Sequence, residues 1–306
     1  MKGLELARAY YEEIGLPMLR AQFGDVLDRI AVGLVGHGSE CFGYDDDRSA
    51  DHDYGPGFCL WLTEADDREF GFRLFRAYEK LPREFRGYRT EKKSRFGSDA
   101  RGVHTIGDFY AFYTGTGDVP GDNDAWLSIP DAYLAEATNG ELFTDPLGEF
   151  TRIREGLLHS RPEDVRRKKL ASCLFYMAQT GQYNYARCLA HGEPVAATLA
   201  LSKFAENTAM AAFLLEHRYA PYYKWLFRAL GELPGWQDTA RQLTELLSSP
   251  FDGKRNGPLI EAVAAHMTER LKQQSLPAAG DYLEPYAYAV NDRIRDGHLR
   301  NMPVML

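Results

Sequence analysis

The chain has 306 residues, and at roughly 100 to 200 residues per domain that length fits two domains, or one large domain with a sizeable appendage. Hydrophobic residues make up 44%, charged residues 26% and aromatics 13%, a balance that excludes a disordered or fibrous chain. Lys and Arg number 36 against 44 Asp and Glu, and the net charge of −8 disfavours generic attraction to a nucleic-acid backbone or an anionic membrane.

The four cysteines, Cys41, Cys59, Cys173 and Cys188, form no CxxC pair and no zinc-type spacing, and a disulfide framework is not expected at this length. The N-terminal stretch carries Glu5, Glu12 and Glu13 inside its apolar pattern, so no signal peptide is expected. The apolar stretch Val195 to Leu215 contains Lys203, Glu206 and Asn207 and reads as a buried helix rather than a membrane span. A cytoplasmic protein with no membrane partner is the expectation.

In chain order, the first 28 residues predict two short helices separated at Leu16-Pro17. Ile30 to Val35 is a compact run with β-branched residues and predicts a buried strand. Phe58 to Leu62 predicts a second strand, and Glu64 to Phe85 a helix with Thr63 as N-cap. Arg83 to Arg101 holds seven Lys or Arg against three acids and predicts a loop or hairpin whose local positive charge could steer an anionic ligand. Gly102 to Ile106 predicts a third strand, Asp108 to Tyr113 an aromatic helix, and Gly115 to Asp124 an exposed loop. From about Ile129 onward the pattern is almost entirely helical. The fold class that results is α+β: a mixed-sheet region over residues 1–128, then an all-α helical bundle over 129–306.

The stretch from Gly36 to Tyr54, GHGSECFGYDDDRSADHDY, carries the chemistry. Gly38 and Ser39 follow the first predicted strand. Glycine permits close backbone approach to a ligand, and a helix beginning at Ser39 would offer N–H groups to a phosphate. Asp51 and Asp53 are expected at the start of the next strand. In extended backbone they share one face about 6 to 7 Å apart, a donor pair suited to Mg²⁺, which shares its shell with nucleotide phosphates. Asp45, Asp46 and Asp47 extend the acidic run and read as solvated.

A strand, Gly-Ser, about ten residues and Asp-x-Asp on the next strand resembles the signature of the DNA polymerase β-like nucleotidyltransferase superfamily. Ser49 stands where small antibiotic nucleotidyltransferases often carry a serine beside the acidic pair. The longer string GSECFGYDDDRSADHD is similar to that of an uncharacterised bacterial family of nucleotidyltransferase-like proteins, in which the core precedes a helical domain comparable to that of aminoglycoside nucleotidyltransferases. The resemblance implies that Gly38 and Ser39 bind the β- and γ-phosphates of an NTP, with Ser49 also at the nucleotide, and that Asp51 and Asp53 are the catalytic carboxylates holding two Mg²⁺ ions. It also implies transfer of an NMP, AMP from ATP by default, onto a hydroxyl of a small-molecule acceptor, with release of pyrophosphate.

The superfamily usually adds a third carboxylate on a later strand, and the segment Arg101 to Ile106 contains none. Asp99, Asp108, Glu206, or His104 acting as base, are the candidates to replace it. Lys224, in Tyr-Tyr-Lys-Trp, resembles lysines of helical domains that line a nucleotide cleft and is a further candidate for neutralising phosphate charge. Arg166 to Lys169 reads as a solvated helix face. Two alternatives stand beside the transferase: a nucleotide-binding regulatory module without transfer, and an antitoxin-like nucleotidyltransferase that modifies a protein partner. The acidic balance argues against a nucleic-acid substrate. Sequence gives no handle on oligomeric state.

Overall fold

The computed structural model describes residues 1–46, 55–89, 101–276, 280 and 282–306. The fold is mostly helical with a small mixed sheet, an α+β architecture. The chain divides into two compact units, 1–121 with 133–160 and 122–132 with 161–306. The expected single boundary at 128/129 therefore differs from the observed division, because residues 133–160 return to the first unit.

In the first unit, α1 (Gly3–Tyr10) and α2 (Leu16–Phe23) are joined by the wide turn Tyr11–Gly15 without leaving helical backbone. The expected interruption at Leu16-Pro17 is absent. Pro17 occupies the first turn of α2, where a missing N–H and a fixed φ are tolerated. Strand β1 (Ala31–Leu34) and β2 (Cys59–Leu62) pair antiparallel, with Gly33 opposite Cys59. Next come α3 (Glu64–Asp66), capped by the Thr63 hydroxyl, and α4 (Phe72–Tyr78). The predicted helix ends there, and β3 (Glu84–Phe85) and β4 (Tyr88–Arg89) form a short hairpin. Strand β5 (Gly102–Thr105) runs parallel to β2, with Gly102 opposite Cys59, and leads into α5 (Ile106–Thr114).

After α6 (Asn123–Ser128) and α7 (Asp131–Thr138), the chain enters β6 (Glu141–Thr144) and α8 (Glu149–His159). Strand β6 pairs antiparallel with β1, giving the order β5-β2-β1-β6. The pattern after Ile129 was expected to be helical, so β6 is an unexpected strand. Both β1 and β2 are buried at every residue, which requires cover on both faces. Tyr10, Phe23, Phe70 and Leu74 pack with Val32, Leu60 and Leu62. Phe109 and Phe150 pack on Trp61 with ring centroids 5.4 and 4.3 Å away.

The second unit is a bundle of α9 (Glu163–Met177), α10 (Tyr185–Ala190), α11 (Pro194–Leu215), α12 (Tyr223–Glu232), α13 (Gln237–Ser248), α14 (Gly253–Gln273), α15 (Leu283–Asn291) and α16 (Gly297–Asn301), together with α6. Its core includes Leu174, Phe204, Trp236, Met267 and Tyr286. The expected solvated face at Arg166 to Lys169 is corrected here. Arg166 is buried and donates to the Leu214 carbonyl, and Lys168, with no exposed surface, donates to Asn291 Oδ1 at 2.9 Å and the Met302 carbonyl at 2.8 Å. Burial holds the Lys168 pKa below the usual lysine value. Among the described residues, no helix is long and apolar enough to cross a membrane.

Candidate functional site

Directly after β1, the backbone turns through Gly36 at φ 115° and Gly38 at φ 120°, conformations that favour glycine. The turn is fixed from α5 and α7. Gly36 N–H donates to Asn139 Oδ1 at 2.8 Å, and Asn139 Nδ2 returns a bond to the Gly36 carbonyl at 2.9 Å. One amide side chain thereby satisfies both backbone groups of a buried residue, much as a neighbouring strand would. The Gly140 N–H donates to the Cys41 carbonyl at 2.9 Å.

His37, between the two glycines, places Nδ1 2.6 Å from Glu136 Oε2 and stacks edge-on against Phe112 and Tyr113. The Glu136 carboxylate raises the His37 pKa against the opposing effect of burial. The result is a partly shielded imidazole beside Gly38 whose protonated form Glu136 favours.

The helix expected to begin at Ser39 is one 3₁₀ turn, Glu40–Phe42, closed by bonds from Phe42 N–H and Tyr44 N–H to the Ser39 carbonyl. It is too short to supply a helix dipole. Glu40 is buried, and its carboxylate lies over Gly38, 2.5 to 2.7 Å from where a Cβ would stand. Arg101 Nη2 binds Glu40 Oε1 at 3.1 Å, while Arg101 Nη1 donates to the Gly55 carbonyl at 2.7 Å. The last residue of the basic segment thus joins the Gly-Ser turn to the backbone ahead of β2. Strand topology brings these groups together: β1 ends where β2 and β5 begin.

Asp45 also departs from expectation. It is buried and accepts from the Gly3 N–H at 2.8 Å, with Lys2 Nζ 3.6 Å from its other oxygen. Its position is set by the start of α1, so it is a structural carboxylate and not a solvated one. Asp46 is exposed. Asp47, Ser49, Asp51, Asp53 and Asp99 lie outside the described residues. Asp108 is exposed in the first turn of α5, where its N–H bonds the Thr105 hydroxyl at 2.9 Å. His104 is half-buried in β5 opposite Trp61. Glu206 and Lys224 belong to the second unit and are exposed, and Lys224 Nζ sits 5.0 Å from the centre of the Trp225 ring.

The structure therefore places Gly38 and Ser39 at the end of the central strand and surrounds them with His37, Glu40, Arg101, Glu136 and Asn139. Glu40 was adjacent to the motif and could have been singled out. Glu136 and Asn139 lie about a hundred residues further on, and no local pattern marks them. Neither thiol at this end is reactive, since burial pushes Cys41 well up and Cys59 to about 12. Among the described residues, no three His, Cys, Asp or Glu side chains form a metal-binding group.

Residues 126–226, about a third of the chain, match a family model described as a domain of unknown function, DUF4037. The matched stretch begins in α6 and ends in α12. No curated protein matches the sequence.

Proposed function

We propose that this protein is a Mg²⁺-dependent nucleotidyltransferase, moving an NMP, AMP from ATP by default, onto a hydroxyl of a small-molecule acceptor and releasing pyrophosphate. The observation that carries the reading is the Gly38-Ser39 turn at the end of a wholly buried strand, with the strand that follows Asp-x-Asp antiparallel beside it. The reading requires a phosphate held at the turn and the carboxylates of Asp51 and Asp53 to act together.

The donor set suits the metal: two carboxylates one residue apart are hard oxygen ligands of the kind Mg²⁺ takes. Bound there, Mg²⁺ would neutralise charge on the reacting phosphate and leaving group. Gly38 lets the phosphates approach the backbone, and the Ser39 hydroxyl can donate to a phosphate oxygen. The Glu40 carboxylate over Gly38 must swing aside as a triphosphate enters, because two anions cannot share that position. Its departure exposes Arg101 to the incoming charge, and His37, when protonated, adds a second cation.

One observation favours the alternative of a nucleotide-binding module without transfer. Strand β5 reads Gly-Val-His-Thr and brings no carboxylate to the sheet. Pyrophosphate release from ATP and Mg²⁺, measured across a library of hydroxylated small molecules, separates the two. The transferase reading expects release with at least one acceptor and a loss on the order of 10³-fold when Asp51 and Asp53 are both replaced by Asn. Unchanged release in that variant would overturn it.

A further inference from the structure

The second unit contains a cavity of about 500 Å³, within the size range of small-molecule sites. Every lining residue except Leu306 falls between 127 and 226, inside the stretch that matches the family model. Its wall is largely apolar, built from residues such as Ile129, Pro130, Met210 and Leu226.

Three charged residues line this cavity: Asp131, Lys169 and Glu206. The first two are consumed by each other. Lys169 Nζ binds Asp131 Oδ1 at 2.7 Å and the Ile129 carbonyl at 2.6 Å, while Arg161 takes the other Asp131 oxygen at 3.2 Å. Glu206, exposed on α11, enters no ion pair among the described residues. Two polar donors of the wall are engaged: Tyr176 donates its hydroxyl to the Leu306 carbonyl at 3.2 Å, and Asn207 Nδ2 donates to the Lys203 carbonyl at 2.8 Å. The charge that remains for a ligand is the Glu206 carboxylate, with the Asn207 amide oxygen and the exposed Tyr223 ring also on the wall. A carboxylate and an aromatic face on an apolar cavity attract a cation carried on an apolar body.

We propose that this cavity binds a small organic cation, a primary ammonium on an aromatic or aliphatic body, with the ammonium at Glu206 and the body against the apolar wall. Binding is non-covalent. Cys173 lines the cavity, but burial raises its thiol to about 12 and keeps it protonated. The site is built from residues of the second unit alone, so it stands apart from the transferase reading.

The test is calorimetric titration of the full chain with three ligands that share one ring: tryptamine, tryptophol and indole-3-acetate. Tryptamine is expected to bind at least about tenfold tighter than tryptophol, with the acid weakest, and the preference is expected to shrink as salt is raised. Glu206→Gln is expected to bring tryptamine to within about twofold of tryptophol without moving the thermal midpoint, since the side chain is exposed. Tyr223→Ala is expected to weaken tryptamine, and Lys203→Gln, also exposed on α11, to leave the preference unchanged. Equal binding of the three ligands would overturn the proposal, as would a preference that survives Glu206→Gln or the absence of saturable tryptamine binding up to about 10 mM. None of these arms involves ATP, so their failure is separate from any failure of nucleotide transfer.

Discussion

At the strand-end turn of the first unit, polar side chains are directed at backbone: Asn139 binds both peptide groups of Gly36, Arg101 holds the Gly55 carbonyl and Glu136 fixes the His37 ring. In the bundle of the second unit, buried charges act as pins between helices and chain ends, as Lys168 does with Asn291 and Met302, or neutralise one another, as Lys169 and Asp131 do. The difference follows from the elements. A turn through two glycines at positive φ has no ladder of its own and must borrow partners. Helices satisfy their own backbone and leave side chains to settle packing. Ligand chemistry differs accordingly. The turn offers a shaped backbone with Arg101 and His37 beside it, and the bundle offers an apolar cavity with one carboxylate left over.

The comparison breaks most visibly at Lys168. Lys168→Ala removes a wholly buried stem and leaves the Asn291 and Met302 oxygens without their donor, an expected loss of about 3–5 kcal/mol in urea unfolding. A loss below about 1 kcal/mol would mean that water or another donor replaces it. Asn139→Ala should cost less, about 1–3 kcal/mol, because it orphans one N–H and one C=O at Gly36. It should also weaken ATP binding, an effect Lys168→Ala is not expected to share at temperatures where both variants are folded.

The smallest effect is a pH dependence at His37. Its pKa is raised in the folded state, so its stabilising contribution is fully present below the ordinary histidine value and is lost as pH rises through the raised one. The difference in urea midpoint between the native chain and His37→Gln should be larger at about pH 5.5 than at about pH 9. With 38% of the ring side chain exposed, solvent screening keeps the contribution under about 1 kcal/mol. A difference that grows toward alkaline pH would contradict the pairing with Glu136.

Much of the first unit could be read from local pattern. Strands β1 and β2 are short apolar runs, β5 opens on Gly102, and α5 follows its Thr105 cap. What escaped were features with distant partners. The Glu141–Thr144 strand is four residues long and pairs with β1 more than a hundred positions earlier, so its identity as a strand depends on a neighbour that periodicity cannot reveal. The same return of residues 133–160 supplies Glu136 and Asn139, two of the five residues around the turn. Asp45 and Lys168 were misread for a related reason. A charge reads as solvated until the backbone group that satisfies it is known, here the Gly3 N–H and the Met302 carbonyl. The turn at Gly38 and Ser39, by contrast, was legible because its place depends on the strand immediately before it.

The central claim concerns nucleotide and metal at the Gly38 turn, and calorimetric titration with a nonhydrolysable ATP analogue tests it most directly. The account predicts saturable binding that requires Mg²⁺, is retained in Lys203→Gln, and is weakened at least about tenfold when Asp51 and Asp53 are both replaced by Asn. Binding that is indifferent to Mg²⁺ and to both aspartates, or no binding by the folded chain at any Mg²⁺ concentration, would contradict it.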